Sequence, residues 1–172
     1  MLIESKLRKL LFPSIALVTV VIVDQVTKLW AIGVLSDKPP MQVLGKFFML
    51  TLVYNEGGAM GSNFGSPTYY LVSSSLILLF ILYYIYSHRE NLMVTIPLAL
   101  IAGGALGNII DRIRFGQVVD FLDIDFFDLN LFGYQLERWW TFNIADAMIS
   151  CSIVFLLVRV IFYHHEKPVE NP

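Results

Sequence analysis

The stretch FNIADAMISCSIVFLLVRVIF, residues 142–162, joins an acidic residue to an apolar run that is long enough to cross a membrane. Asp146 lies near the start of this run, and we expect Asp120 to lie in the loop that leads to it. A carboxylate close to hydrocarbon is costly, so such acids are usually paired, exposed to water or functional. The two aspartates are therefore candidate functional residues at a boundary between lipid and water.

The composition restricts the class of protein. Of 172 residues, 56% are hydrophobic and 15% are charged, so we expect an integral membrane protein. The length suits one domain, residues 1–172. The formal net charge of -2 and the lack of a basic block exclude nucleic acid as a partner. Cys151 is the single cysteine, which excludes an internal disulfide, and we expect it to be a buried packing residue of the last span.

Three further apolar stretches precede the last run. Since roughly 17 to 25 residues cross a bilayer, we predict four membrane-spanning helices at residues 10–30, 69–86, 93–110 and 144–162. Lys6, Arg8 and Lys9 precede the first span and favour a cytoplasmic N-terminus, and an even number of spans then puts the C-terminus on the same side. No small-residue cleavage site follows the first span, so we interpret it as a retained anchor.

The connections between these spans divide by length. Residues 36–68 and 111–143 form two long connections that this orientation exports, whereas residues 87–92 form a tight cytoplasmic turn. Four aromatic residues stand where spans meet lipid headgroups, as an aromatic belt requires. They are Trp30, Tyr69, Trp139 and Trp140.

The first long connection contains a hairpin pattern. Gly45 and Lys46 separate apolar stretches at residues 42–44 and 47–54, and glycine tolerates the positive φ of a tight turn. We therefore expect an all-α membrane protein of four transmembrane helices, with a small extracytoplasmic β-sheet element on the membrane surface at about residues 41–65.

Asp24 and Lys28 interrupt the far end of the first span. At a spacing of i and i+4 they share one helix face and can neutralise each other, which lowers the cost of both charges in a membrane. They are either a structural ion pair or direct neighbours of the catalytic groups.

Asn55 and Gly57 belong to a glycine-rich segment that follows the predicted hairpin. Missing side chains allow the backbone to approach another chain or a ligand closely. The segment is either an ordinary loop or a surface that faces a substrate.

The end of the third span and the first two residues of the connection have the sequence GGALGNIIDR, residues 103–112. Small residues such as Gly104 permit close helix packing in lipid. Asn108, Asp111 and Arg112 fall at i, i+3 and i+4 on one face, where Asn108 and Arg112 can bind the backbone carbonyls of an extended peptide. The alternative is a surface pair of Asp111 with Arg112 or Arg114.

The acids of the last connection cannot all be ranked by pattern. Asp146 can also serve merely as a helix cap, because acids favour the positive N-terminal end of a helix. Asp123, Asp125 and Asp128 lie near Asp120, and we interpret them as a solvated acidic loop.

Five motifs occur in order along the chain. They are Asp24-Gln25-x-Thr27-Lys28, Asn55-x-Gly57, Gly104-Ala105-x-Gly107-Asn108-x-x-Asp111-Arg112, Val118-Val119-Asp120-Phe121 and Phe142-Asn143-x-Ala145-Asp146. In this order and at these spacings, the chain resembles the lipoprotein signal peptidase family, also called signal peptidase II, over about residues 24–146. Gly58 and Met60 depart from the family, which often has alanine and an aromatic residue there, so the local packing of a substrate is not carried over.

The resemblance implies a membrane aspartyl endopeptidase that cleaves bacterial prolipoproteins just before a diacylglyceryl-modified cysteine. It implies Asp120 and Asp146 as the catalytic pair, of which the charged partner activates a water and the neutral partner protonates the leaving group. Substrate binding is carried over to Asn108, Arg112, Asn55 and Gly57. Support of the site is carried over to Asp24, Lys28, Asp111, Asn143, Ala145 and Gly104.

The same resemblance implies the surroundings of the enzyme. We expect a multi-pass protein of the bacterial cytoplasmic (inner) membrane, with its active site at the extracytoplasmic face. Its partners are diacylglyceryl-modified prolipoprotein signal peptides and membrane lipids, and we expect a monomer. We expect neither a cofactor nor a metal, since His88, His164 and His165 all fall on the cytoplasmic side.

Two other classes of protein also place polar residues in spans. A small proton-coupled transporter would use Asp24, Lys28 and Asp146 as an intramembrane relay, but it would more often show internal repeats or broken helices. A structural membrane subunit would explain the glycines and aromatic residues, but it would leave the polar motifs without a purpose.

Overall fold

The computed structural model describes residues 2–58, 65–125, 129–131, 134–136 and 140–163. Four helices dominate it: α1 (Leu2–Leu35), α2 (Pro67–Ser87), α3 (Leu92–Phe115) and α4 (Ile144–Tyr163). Five strands occupy the connections: β1 (Met41–Leu44), β2 (Phe48–Asn55), β3 (Val118–Ile124), β4 (Leu129–Leu131) and β5 (Tyr134–Leu136).

All four helices are long and apolar enough to cross a membrane, which confirms the predicted number of spans among the described residues. The candidate spans are Lys9–Leu35, Pro67–Ser87, Leu92–Phe115 and Ile144–Phe162. Two of the predicted spans end several residues before the candidate spans of the structure do. The first span continues to Leu35 because residues 31–35 are still apolar or small, and the third continues to Phe115.

Local signals explain where helices begin and end. The side chain of Ser66 accepts a hydrogen bond from the Tyr69 N–H at 3.3 Å, and Pro67 follows in the first helical turn, where its missing N–H costs little. Gly116 has a φ of 73° and ends α3 with a left-handed residue. Asp111 and Arg112 are therefore helical, and α3 continues five residues into the predicted connection.

Helix α3 is the centre of the bundle. Half of its apolar window is buried, against 11% to 17% for the other three helices. Its glycines permit the close packing that the sequence predicted. A Cβ on Gly103 would lie 2.7 Å from the carbonyl oxygen of Leu17 in α1, and one on Gly104 would lie 2.6 Å from that of Ala145 in α4.

The predicted hairpin is confirmed, and it belongs to a larger sheet. Strands β1, β2 and β3 form an antiparallel sheet in that order, with Gly45 in the first turn at a φ of 55°. Strand β3 was not predicted. Asp120 belongs to it and therefore lies in a strand, not in the predicted loop. Between the pairs Leu50–Leu122 and Val53–Asp120, strand β2 has one extra residue, a bulge next to Asp120.

The packing corrects two further expectations. Asp123 is 5% exposed and accepts a hydrogen bond from Thr51 Oγ1 at 2.8 Å, because it is part of β3 and pairs with Met49 of β2. It is not a solvated loop residue, and Asp125 is only half-exposed, while Asp128 lies outside the described residues. Cys151 is exposed on the outer surface of α4 and is not a buried packing residue.

The aromatic belt stays a prediction. Trp30 is 47% exposed, Tyr69 is 59% exposed and Trp140 is 39% exposed, as side chains that face lipid headgroups would be. Trp139 lies outside the described residues.

Candidate active site

Asp120 and Asp146 come from different elements and hydrogen-bond to the same residue, Asn143. Asp120 lies in β3, Asp146 lies in the first turn of α4, and Asn143 directly precedes that helix. The Asn143 Nδ2 donates to Asp120 Oδ1 at 2.7 Å, and the Asn143 backbone N–H donates to Asp146 Oδ2 at 3.2 Å. The fold therefore brings together two acids that are 26 positions apart in the sequence.

Asp120 is almost fully buried, with 2% of the residue exposed. Its second oxygen, Oδ2, accepts a hydrogen bond from Asn55 Nδ2 at 3.0 Å. Burial and, to a lesser extent, the charge of Asp146 together raise the pKa of this carboxyl to about 7, against the opposing hydrogen bonds from Asn55 and Asn143. A carboxyl with such a pKa holds or releases a proton near neutral pH.

Asp146 does act as part of a helix cap, but it also makes a contact beyond its own helix. Its N–H donates to Asn143 Oδ1 at 3.0 Å while its carboxylate accepts the Asn143 N–H, which is the reciprocal arrangement of a capping box. Its Oδ1 also accepts a hydrogen bond from Asn108 Nδ2 of α3 at 2.9 Å. The capping alternative therefore describes only one of its two oxygens.

Lys28 is the centre of a buried charge cluster next to this pair. Its ammonium lies 2.9 Å from Asp24 Oδ2 and 2.8 Å from Asp111 Oδ2, and it donates to Asn108 Oδ1 at 2.8 Å. The predicted pair of Asp24 with Lys28 is present, and Lys28 also contacts a residue that binds Asp146. A surface pair of Asp111 is wrong, because Asp111 is 1% exposed and faces α1.

Asp111 and Asp24 each accept a backbone hydrogen bond from the residue that precedes Asp120 or Asp146. Asp111 Oδ2 accepts the backbone N–H of Val119 at 3.1 Å. Asp24 Oδ1 accepts the backbone N–H of Ala145 at 3.0 Å. Since Val119 precedes Asp120 and Ala145 precedes Asp146, the charge cluster holds the backbone on which both aspartates are mounted.

Arg112 is half-buried and donates to a backbone carbonyl, the type of group that the sequence predicted it would bind. Its Nη2 lies 3.0 Å from the Gly57 oxygen, and its guanidinium carbon lies 5.9 Å from the centre of the Tyr70 ring. Asn55 Oδ1 accepts the Gly57 N–H at 2.9 Å, so the same segment also contacts Asp120. Asn55, Gly57, Asn108 and Arg112 thus border the aspartate pair.

One polar residue of this network belongs to the first sequence motif but was given no role in the site by the sequence. Gln25 contacts both acids of the charge cluster, with Nε2 at 2.9 Å from Asp111 Oδ1 and 3.3 Å from Asp24 Oδ2. The available signal was a polar side chain inside an apolar span, which is rarely placed there without a partner.

Potential metal ligands in the described part of the chain do not form a cluster. No group of three or more His, Cys, Asp or Glu residues is arranged to hold a metal ion there. His88 ends α2 and stacks on Tyr84 at 4.0 Å between ring centres, and His164 and His165 lie outside the described residues. The absence of a cofactor stays an expectation from the sequence.

Comparisons with known proteins agree with this architecture. The lipoprotein signal peptidase of Pelodictyon phaeoclathratiforme is 37% identical over 164 residues, which cover 94% of this chain and 95% of that protein. The lipoprotein signal peptidase of Syntrophus aciditrophicus is 38% identical over 154 residues, covering 86% and 91%. A bacterial membrane enzyme solved by the in meso method at 2.3 Å resolution has a TM-score of 0.75 and 30% identity, with 93% of each chain covered.

A family model supports the same assignment. The model described as Signal peptidase (SPase) II matches residues 16–162, a region that includes α2, α3, the three-stranded sheet and most of α1 and α4. Through this match and its relatives, the chain belongs to the signal peptidase II family, a family of aspartic-type membrane proteases.

Proposed function

We propose that this chain is a membrane aspartyl endopeptidase that removes the signal peptide from diacylglyceryl-modified bacterial prolipoproteins by cleaving before the lipidated cysteine. The relatives named lipoprotein signal peptidase support the substrate class. The catalytic roles rest on one observation, the hydrogen bonds of both Asp120 and Asp146 to Asn143. The transporter alternative finds no support among the relatives.

Amides donate to both carboxylates, and the position of Asp146 at the start of a helix is what favours its charged form. Lys28 can only donate, so the Asn108 oxygen must face Lys28 and its NH2 group must face Asp146. Asp146 also lies in the first turn of α4, where the helix dipole stabilises negative charge. We therefore assign the ionised form to Asp146 and the proton of the pair to Asp120, whose pKa is raised to about 7.

The reaction follows from these protonation states. Asp146 accepts a proton from a water, whose oxygen attacks the carbonyl carbon of the scissile peptide bond to form a tetrahedral intermediate. Asp120 donates its proton to the amide nitrogen of the cysteine, and the C–N bond breaks. Transfer of the proton from Asp146 to Asp120 restores the starting state, so the cycle consumes one water per peptide bond.

The bordering residues supply the binding of an extended peptide. Arg112 binds the carbonyl of Gly57 with one of its five N–H donors, so other donors of the same guanidinium suit a substrate carbonyl beside it. Asn55 and Asn108 present amides beside the two carboxylates. We assign peptide-backbone binding to these three side chains and to the backbone of Gly57.

The proposal includes an orientation. The aspartate pair and the sheet lie at the end of the bundle that the basic N-terminal residues assign to the extracytoplasmic side. Both termini are then cytoplasmic, in a bacterial cytoplasmic membrane. We further propose one domain and a monomer, whose exposed apolar helix faces contact lipid.

Turnover of a lipidated substrate tests the function. The detergent-solubilised protein is incubated with a diacylated prolipoprotein, and the released signal peptide is measured by mass spectrometry. We expect cleavage by the wild type and none above background by Asp120→Asn or Asp146→Asn, with melting curves that show a folded protein. Normal release by either folded variant would remove that residue from catalysis.

Two controls make this test specific. Asp125→Asn alters a nearby acid that lies beyond the aspartate pair and is expected to be nearly silent. Loss of activity in that folded variant would mean that the wrong acid is assigned. A prolipoprotein without the diacylglyceryl group should be cleaved poorly, and equal cleavage would contradict the substrate class.

A further inference from the structure

Two buried acids hold the backbone segments of the candidate catalytic pair. Asp111 accepts the N–H of Val119, next to Asp120, and Asp24 accepts the N–H of Ala145, next to Asp146. The distance between Asp24 and Asp111 therefore influences the distance between the two catalytic carboxylates.

The side chain of Gln25 contacts both Asp24 and Asp111. Gln25 Nε2 lies 2.9 Å from Asp111 Oδ1, 3.3 Å from Asp24 Oδ2 and 3.2 Å from the Gly107 carbonyl oxygen. Its Oε1 accepts a hydrogen bond from Arg114 Nη1 at 3.4 Å, which orients the amide with its NH2 group toward the acids. None of these hydrogen bonds reaches Asp120 or Asp146.

Charge explains why a neutral donor suits this position. Lys28 is a single cation between two carboxylates, so the cluster keeps an excess negative charge on side chains that are at most 2% exposed. A buried charge is stable only when hydrogen bonds satisfy it. The Gln25 amide supplies such donors without adding a charge, whereas a glutamate of the same shape would add a third acid.

We propose that Gln25 is a positioning residue of the hydrolytic reaction: by joining Asp24 and Asp111 it sets the spacing of Asp120 and Asp146 through Ala145 and Val119. This inference rests on the proposed function. Its effect should fall on the chemical step, because the described hydrogen bonds of Gln25 do not involve the residues assigned to substrate binding. Its bond to the Gly107 carbonyl reaches α3, the helix of Asn108 and Arg112, but neither of those side chains.

Three variants separate this role from simple packing. Gln25→Met keeps the length of the side chain without a donor, and Gln25→Glu keeps the shape and replaces the donor by an acceptor. Thr27→Val is the matched control on the same helix, since among the described residues Thr27 Oγ1 donates to carbonyls of its own helix alone, those of Val23 at 2.8 Å and Asp24 at 2.9 Å.

We expect both Gln25 variants to lower kcat by roughly tenfold to a hundredfold, the effect of a small misplacement of reacting groups. KM should stay within about twofold, because Gln25 acts on the alignment of the catalytic carboxylates and not on the side chains assigned to peptide binding. Thr27→Val should keep kcat within about twofold of the wild type. All rates are normalised to the folded fraction, measured by size exclusion and melting in the same detergent.

The pH profile is a measurement that a purely structural role would not change. The spacing of Asp120 and Asp146 sets their mutual repulsion, so the alkaline limb of kcat/KM should shift in Gln25→Met and not in Thr27→Val. If Gln25→Met does not fold, Gln25→Asn is the second variant, because it keeps a neutral amide on a side chain too short to join the two acids, and its kcat then tests the positioning role.

The outcomes are distinct. A wild type that does not cleave the diacylated prolipoprotein overturns the proposed function. A wild type that cleaves, together with folded Gln25 variants of unchanged kcat and pH profile, overturns the positioning role alone. A kcat loss equal to that of Thr27→Val also overturns it.

Discussion

Two lysine ion pairs near opposite ends of helix α1 show what burial does to the same chemistry. Lys9 pairs with Glu90, beyond α2, and their side chains are 39% and 61% exposed. Lys28 pairs with Asp24 and Asp111, and the side chains of all three are at most 2% exposed. An exposed pair contributes little to stability because water and salt screen it.

The buried cluster is different because desolvation makes an incomplete set of partners costly. Lys28 therefore has three close acceptors, and each acid accepts further N–H groups from other elements. This requirement joins α1, α3, β3 and the start of α4. The comparison indicates that the cost of burying charge is what holds the candidate active site in one geometry, whereas the Lys9 pair only connects two surface segments.

The largest expected difference between the two regions concerns the lysines themselves. Lys28→Met leaves Asp24 and Asp111 buried without their cation, so we expect a loss of about 3 to 5 kcal/mol in stability and no detectable peptidase activity. Lys9→Met should cost about 1 kcal/mol or less and keep activity. Chemical denaturation in detergent and prolipoprotein turnover measure both. Similar losses for the two variants would remove the distinction between the regions.

A second prediction concerns how tightly the buried region is packed. In Gly104→Ala the new Cβ would lie 2.6 Å from the backbone oxygen of Ala145, so α3 and α4 must separate near Asp146. We expect a cost of about 1 to 3 kcal/mol together with reduced turnover.

The matched control for this packing change is Gly33→Ala, in α1. A Cβ there meets nothing within 4 Å, and alanine should stabilise a helix by up to about 1 kcal/mol. Melting temperatures of the two variants provide the measurement. A neutral Gly104→Ala would mean that the helices adjust without strain at the site.

The smallest predicted effect is a pH dependence that only the buried region should produce. The pKa of Asp120 is raised from 3.8 to about 7, so above pH 7 its protonated form falls, and kcat/KM should decrease by roughly tenfold per pH unit. The stability of the folded state should also decrease as pH rises. Between about pH 4 and 7 the folded state keeps a proton that the unfolded state has lost, so the free energy of unfolding decreases as pH rises.

Asp120→Asn provides the control for the stability measurement. Its melting temperature should depend less on pH between 4 and 7 than that of the wild type, because the titrating group is gone. The activity profile of the wild type is measured from pH 5 to 9. A kcat/KM that keeps rising above pH 7 would contradict the assignment of the proton to Asp120.

Much of the site could be predicted from the sequence, because its signals are either short-range spacings or polar residues whose burial in an apolar span is costly. The pair of Asp24 and Lys28 follows from a spacing of four on a helix, and the common face of Asn108 and Arg112 follows in the same way. Polar residues in apolar spans are conspicuous whatever their partners are. The hairpin was predicted because its turn needs a residue with positive φ at Gly45.

The errors share a different cause. Asp123 was interpreted as a solvated residue, and a surface pair of Asp111 was left open as an alternative, because their partners Thr51 and Lys28 are 72 and 83 positions away. Strand β3 has few local signals and exists because it pairs with β2 across the whole of α2 and α3. No periodicity in one segment reports such a pairing.

The amino-acid sequence by itself determined the four spans, the hairpin and the set of polar residues, because hydrophobicity, helical spacing and glycine conformation act over short distances. Only the tertiary structure decided which of those residues meet: Asn143 between Asp120 and Asp146, and Lys28 between Asp24 and Asp111. The physical reason is that a buried charge is stabilised by any partner of the right geometry, and the fold, not the neighbouring sequence, selects that partner.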